Sequence, residues 1–159
     1  VNGFVEEHLL GEHPPDGSKL LVSAVHMLTW FFILQLALAY VTGMFGKHPQ
    51  TKEELDRMHL NLKCWAVLLG HITGFASINA FAELQQQVPR YFIICVGVAP
   101  LAWSVVYVLG TGTNAVRELF ALRDREMDEA EIMWDEETEE TEDDVIGLSV
   151  SFVTIQALR

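Results

Sequence analysis

Three polar side chains with different chemistries fall on one side of an otherwise apolar stretch. His71 and Asn79 lie within Cys64–Ala82, nineteen residues that contain no Asp, Glu, Lys or Arg, and Glu83 follows directly. At about 100° per helical residue, these three side chains share a sector of about 120°. An imidazole, an amide and a carboxylate on one face of a membrane helix can pass protons or coordinate an ion. We call His71, Asn79 and Glu83 the polar stripe.

Other interpretations of the polar stripe remain open. Each group can simply hydrogen-bond a neighbouring helix, since an unpaired polar group is costly in an apolar environment. Haem or metal ligation is a third hypothesis, but the two imidazoles that ligate a haem iron must lie at the same depth in the membrane. His26 and His71 are expected at depths of about 9 Å and 18 Å from the same face, so they do not match. We predict no catalytic residues, no metal site and no cofactor, and an enzymatic function is the less favoured class.

Small residues occupy the opposite face of the same stretch. Ala66, Gly70, Gly74 and Ser77 form this face, and the two glycines have the Gly-x-x-x-Gly spacing. In lipid, helices associate through close van der Waals packing, which small residues allow. The pattern predicts that another helix packs directly against this seam.

Three long uncharged blocks must hold these residues in place. They predict membrane spans at about 20–45, 60–83 and 91–110, because about 20 apolar residues cross a bilayer as a helix. Thr51 and Glu54 form a capping-box pattern, so the helix of the second span is expected to begin near Lys52. In the third span Pro100 removes a backbone hydrogen bond, which predicts a kink.

The formal net charge of -12 is concentrated in one segment. Residues 124–144 carry thirteen carboxylates and one base. We therefore predict a surface helix and a solvated acidic loop over 117–144, joined to the third span by a flexible joint at 110–114. Weak divalent-cation binding to 124–144 is one expectation. Nucleic acid is not an expected partner, because no basic stripe is present to neutralise phosphates.

Residues 1–19 are predicted to be an extramembrane segment, and 145–159 the start of a truncated fourth span. Most bases outside the spans lie on the side of residues 117–144, which the positive-inside rule assigns to the cytoplasm. The expected fold is an all-α polytopic bundle in a lipid bilayer, contacting helices from beyond residue 159 or from other subunits. The leading functional hypothesis is a channel- or transporter-like unit. The alternatives are a non-catalytic structural or assembly subunit and, third, a haem-carrying electron-transfer unit.

Overall fold

The computed structural model describes residues 17–46, 51–87, 92–121 and 128–158. These residues form four helices: α1 Ser18–Val41, α2 Lys52–Gln87, α3 Phe92–Ala121 and α4 Glu129–Ala157. The fold is therefore all-helical over the described ranges, as the sequence predicts. Most of the extramembrane segment predicted for 1–19, up to residue 16, lies outside them.

Three helices, α1, α2 and α3, are long and apolar enough to cross a membrane. Their most apolar windows differ in burial, with 56% of the window buried in α2 and 22% in both α1 and α3. The central helix is thus α2, while α1 and α3 present broad apolar surfaces to the outside. This arrangement is compatible with a multi-pass protein and suggests an integral membrane location.

The start of α2 follows the predicted capping box. The Thr51 backbone N–H donates to Glu54 Oε2 at 3.2 Å, and the Glu54 N–H donates to Thr51 Oγ1 at 3.3 Å. From there α2 continues for 36 residues without a break. At 1.5 Å per residue its length is about 54 Å, well beyond the roughly 30 Å of a hydrocarbon layer.

The packing order places α2 between α1 and α4, with α3 on the far side of α4. Successive helices run antiparallel, so α2 and α4 run parallel to each other. One apolar core cluster forms around Leu34, Leu62 and Trp134, and another around Phe81 and Val106. Because α1 and α3 hardly touch each other, a groove separates them.

The solvated acidic loop, predicted to follow a surface helix that ends near Trp134, is wrong for residues 135–144, which lie in the first half of α4. Two physical causes account for this. Asp128 and Glu131 make a reciprocal capping box that starts the helix. The same half then buries a stripe against the bundle, formed by Ala130, Trp134, Thr138, Thr141 and Val145.

The predicted flexible joint at 110–114 is also helical, because α3 continues through it to Ala121. Thr113 helps to hold this turn, since its hydroxyl lies 3.0 Å from the Leu109 carbonyl oxygen. Arg117, predicted on a surface helix, is only 3% exposed. Residues 145–157 continue α4, and a fourth span at 145–159 stays a prediction.

Candidate functional site

None of the three polar-stripe residues is among the buried residues of α2. His71 is exposed, and its Nδ1 lies 2.8 Å from the carbonyl oxygen of Val67, one turn earlier in the same helix. Asn79 and Glu83 are half-buried. The structure thus leaves the imidazole facing outward, and its role as part of a pathway stays a prediction.

The small-residue seam lies against α4. Ala66, Gly70, Gly74 and Ser77 are all buried. A methyl group placed on Gly70 would come within 2.8 Å of Thr141 Cγ2, and one on Gly74 within 2.9 Å of Leu148 Cδ1. The two parallel helices approach this closely because neither glycine carries a side chain.

Pro100 lies inside the continuous helix α3, on its exposed side. The Ser104 hydroxyl donates to the Pro100 carbonyl oxygen at 2.8 Å. The predicted kink stays a prediction.

A buried ionic cluster that the sequence did not reveal joins three helices. At its centre is Arg117 of α3, 3% exposed. Its Nε donates to Asp135 of α4 at 3.0 Å, and its Nη1 donates to Glu142 of α4 at 2.9 Å and to Gln35 of α1 at 3.3 Å. Nη2 donates to Asn114 at 3.2 Å. We call these five residues the Arg117 cluster.

Glu142 is held asymmetrically within this cluster. Its Oε1 lies 2.6 Å from Gln35 Nε2, 2.8 Å from Thr113 Oγ1 and 2.9 Å from Arg117 Nη1. No side chain in the described part of the chain hydrogen-bonds its Oε2. A methyl group on Gly110 would lie 3.1 Å from Oε2, so the absence of a side chain there lets the carboxylate approach α3.

The charges of the Arg117 cluster do not cancel. One guanidinium faces two carboxylates, of which Glu142 is 7% exposed and Asp135 29% exposed. Removing the ions of a pair from water costs several kcal/mol per ion, and this cost is offset only when nearly all of their hydrogen bonds are made. Here the Arg117 donors are almost all used, so the cluster fastens α1, α3 and α4 together in one arrangement.

A polar cleft of about 250 Å³ opens beside Glu142, between α3 and α4. The α3 side consists of Tyr107, Gly110, Thr111, Asn114 and Arg117, and the α4 side of Glu139, Glu142, Asp143 and Ile146. Because Glu142 and Gly110 both line it, the unbonded carboxylate oxygen can be reached from this cleft. An ion or proton bound there would interact with a carboxylate that also holds Arg117.

No protein-family model, curated protein or solved structure matches this chain.

His26 uses one of its ring nitrogens for a hydrogen bond within its own helix. The Trp30 indole N–H donates to His26 Nε2 at 2.8 Å, which occupies the nitrogen that an axial ligand often uses. Among the described residues, no group of three or more His, Cys, Asp and Glu side chains is placed to hold a metal ion. Weak divalent-cation binding to 124–144 stays a prediction.

The sequence contained signals for α4, the helix that carries Asp135 and Glu142, but the many carboxylates around them masked these signals. The pattern Asp128-x-x-Glu131 is a capping signature, and Trp134, Thr138, Thr141 and Val145 recur at helical spacing. Arg117 directly follows the uncharged block 91–116, whereas Gln35 lies inside the block 20–46. Their contact with Glu142 depends on how the helices pack, which no local pattern specifies.

Proposed function

We propose that this chain is a channel- or transporter-like helical unit of a membrane and that Glu142 is its ion- or proton-binding group. The observation that carries the proposal is the asymmetry of the carboxylate, with Oε1 tied to three donors and Oε2 open to the polar cleft. Ionisable groups at such positions in membrane bundles commonly mark ion or proton paths.

The arrangement provides a coupling between binding and helix packing. A cation or proton that reaches Oε2 competes with Arg117 for the same carboxylate. When the hydrogen bonds of Glu142 with Gln35 and Arg117 weaken, α1 loosens from α3 and α4, because α1 makes few other contacts with these two helices. A ligand shifts a conformational balance only through such a difference in affinity between states.

Flux through proteoliposomes tests this proposal. Purified protein is reconstituted, and entry of protons, Na⁺ and K⁺ is followed separately with ion-sensitive dyes. We expect flux of at least one ion in the wild type, its loss in Glu142→Gln, and its retention in Glu136→Gln. Glutamine keeps the size and an acceptor oxygen, and Glu136 is an exposed acid of the same helix outside the cleft.

Unchanged flux in Glu142→Gln would refute the assignment of Glu142. Wild-type vesicles no more permeable than empty ones to all three ions would contradict the transport proposal itself.

The second candidate is a structural or assembly subunit, and the exposure of His71 favours it. An imidazole on the apolar side of a membrane helix, bonded only to its own backbone, is better satisfied under another helix. In that role the polar stripe is a contact surface. His71→Leu should then lower the mass of the detergent-solubilised assembly measured by light scattering.

Thr154→Val is the matched control for that experiment. Thr154 is also exposed and also bonds only a carbonyl of its own helix, that of Val150 at 2.6 Å. An unchanged assembly mass in His71→Leu, alongside lost flux in Glu142→Gln, would decide for transport over assembly.

A further inference from the structure

The polar cleft beside Glu142 combines an open carboxylate oxygen with an excess of negative charge. Glu142 is 5% exposed, and its Oε1 holds three hydrogen bonds, while Oε2 has none within the described part of the chain. Oε2 nevertheless keeps accessible surface, whereas the unpaired side-chain oxygens of Ser77 and Gln85 are enclosed. The lining contains three acids, with Glu139 and Asp143 exposed beside Glu142, against one base. The cleft therefore attracts a cation.

The lining does not provide the ligand shell of a divalent metal ion. Such an ion takes about six to eight oxygen ligands. No three His, Cys, Asp or Glu side chains in the described ranges are placed to hold one metal ion, so Glu139, Glu142 and Asp143 do not converge. On the α3 side, the Thr111 hydroxyl donates to the Tyr107 carbonyl oxygen at 3.0 Å and is turned back to its own helix. The volume of about 250 Å³ also leaves room for a cation with several heavy atoms.

Two side chains give the cleft apolar walls, Tyr107 from α3 and Ile146 from α4. The Tyr107 ring stacks on Trp103, with ring centroids 5.1 Å apart and planes 11° apart, so it is held in place one turn before Gly110. The face of an aromatic ring attracts a cation and also covers alkyl surface. A carboxylate flanked by an aromatic and an aliphatic side chain suits an ammonium group on a short alkyl chain.

We propose that the polar cleft binds a primary alkylammonium ion, whose N–H donates to Glu142 Oε2 and whose alkyl chain lies against Tyr107 and Ile146. This inference rests on the proposed function, since it takes Glu142 as the cation-binding group and names the class of cation. A primary ammonium is favoured over a quaternary one because a charged N–H forms a short, strong hydrogen bond with a carboxylate. An anionic group on the ligand would be repelled by Glu139 and Asp143.

Binding in detergent micelles tests this site without any flux measurement. Butylammonium chloride with a fluorinated terminal methyl group is added to the purified protein at neutral pH, and the broadening of its ¹⁹F signal reports the bound fraction. We expect saturable broadening that unlabelled butylammonium chloride reverses by competition. Potassium chloride, 1-butanol and sodium butyrate at the same concentration should not reverse it, because none of them combines a positive charge with an alkyl chain.

Two pairs of variants locate the site. A methyl group on Gly110 would lie 3.1 Å from Glu142 Oε2 and cover it without changing any charge, whereas one on Gly112 would meet nothing within 4 Å. Gly110→Ala should therefore weaken binding about tenfold, the scale of one charge-assisted hydrogen bond, and Gly112→Ala should not. Asp143→Asn removes one charge from the lining and should weaken binding about threefold. Asp144→Asn is its control, since Asp144 is an exposed acid next in the chain and outside the lining.

A signal that the wild-type protein does not broaden, or that butylammonium does not restore, would overturn the proposal. Equal competition by potassium chloride or 1-butanol would overturn the class of ligand. Equal affinities of Gly110→Ala and Gly112→Ala would overturn the location. Failure of the transport proposal is distinguishable: ammonium binding by a protein whose vesicles pass no ion refutes transport alone, and Glu142-dependent flux without ammonium binding refutes this site alone.

Discussion

Replacing Gly70 with alanine tests the closest contact between α2 and α4. The new methyl carbon would lie 2.8 Å from Thr141 Cγ2, well inside van der Waals distance. Thr141 cannot easily move away, because it is β-branched and its hydroxyl bonds the Glu137 carbonyl oxygen at 2.6 Å. The two helices must therefore separate by several tenths of an ångström.

The expected magnitude follows from two opposing effects. Alanine in place of a helical glycine stabilises by about 1 kcal/mol. Overpacking a tight contact costs about 1–3 kcal/mol. Gly70→Ala should therefore change the free energy of unfolding by about 0 to 2 kcal/mol in the destabilising direction. Gly74→Ala should be milder, because the Leu148 Cδ1 atom it meets is the end of a flexible side chain.

Gly97→Ala is the matched control within α3. No atom outside its own local helix lies within 4 Å of the position of its new methyl group, so only the favourable effect of about 1 kcal/mol remains. Unfolding is followed by far-ultraviolet circular dichroism during titration with sodium dodecyl sulfate in mixed micelles. If Gly70→Ala stabilises the protein as much as Gly97→Ala, the close approach of α2 and α4 is refuted.

Two further predictions concern charged groups. Arg117→Met should lower the free energy of unfolding by about 3 kcal/mol, which is near the lower end for a broken buried pair because Asp135 keeps 29% exposure. Arg57→Met should lower it by less than about 0.5 kcal/mol, because the side chains of Arg57 and Glu53 are 76% and 89% exposed. Similar unfolding midpoints for the two variants would contradict the buried cluster. Burial raises the pKa of Glu137, and Glu140 adds to this while Lys63 and His59 oppose it. Since its folded pKa exceeds its unfolded value, Glu137 destabilises the fold above the folded pKa, and this penalty disappears as the pH falls toward the unfolded value. Glu137→Gln should thus raise the melting temperature at pH 8 and not at pH 4, and an equal rise at both would contradict the shift.

The three helices of membrane-crossing length and the start of α2 could be predicted from the sequence, because each depends on local composition. Long uncharged blocks specify membrane-length helices, and the capping box at Thr51 and Glu54 marks where α2 begins. The first half of α4 was misread because its carboxylates suggest a solvated chain. In the folded protein, exposed carboxylates on one side coexist with a buried stripe on the other.

The candidate site was beyond the sequence for a different reason. Gln35, Arg117 and Glu142 are separated by at least 25 positions along the chain and meet only because α4 lies between α2 and α3. The polar stripe, by contrast, is visible in the sequence as one helix face. Which way that face points depends on where α1 and α4 pack, and they cover the other sides of α2.

The uninterrupted length of α2 has a mechanical consequence. About 24 Å of this rod exceeds the hydrocarbon thickness, and the outer half of α4 runs beside it, with His59 Nε2 4.0 Å from Glu137 Oε2. Both helices run without a break alongside each other as far as the glycine seam. A lateral force on the Lys52 end of α2 is therefore carried along both helices to the level where Gly70 meets Thr141.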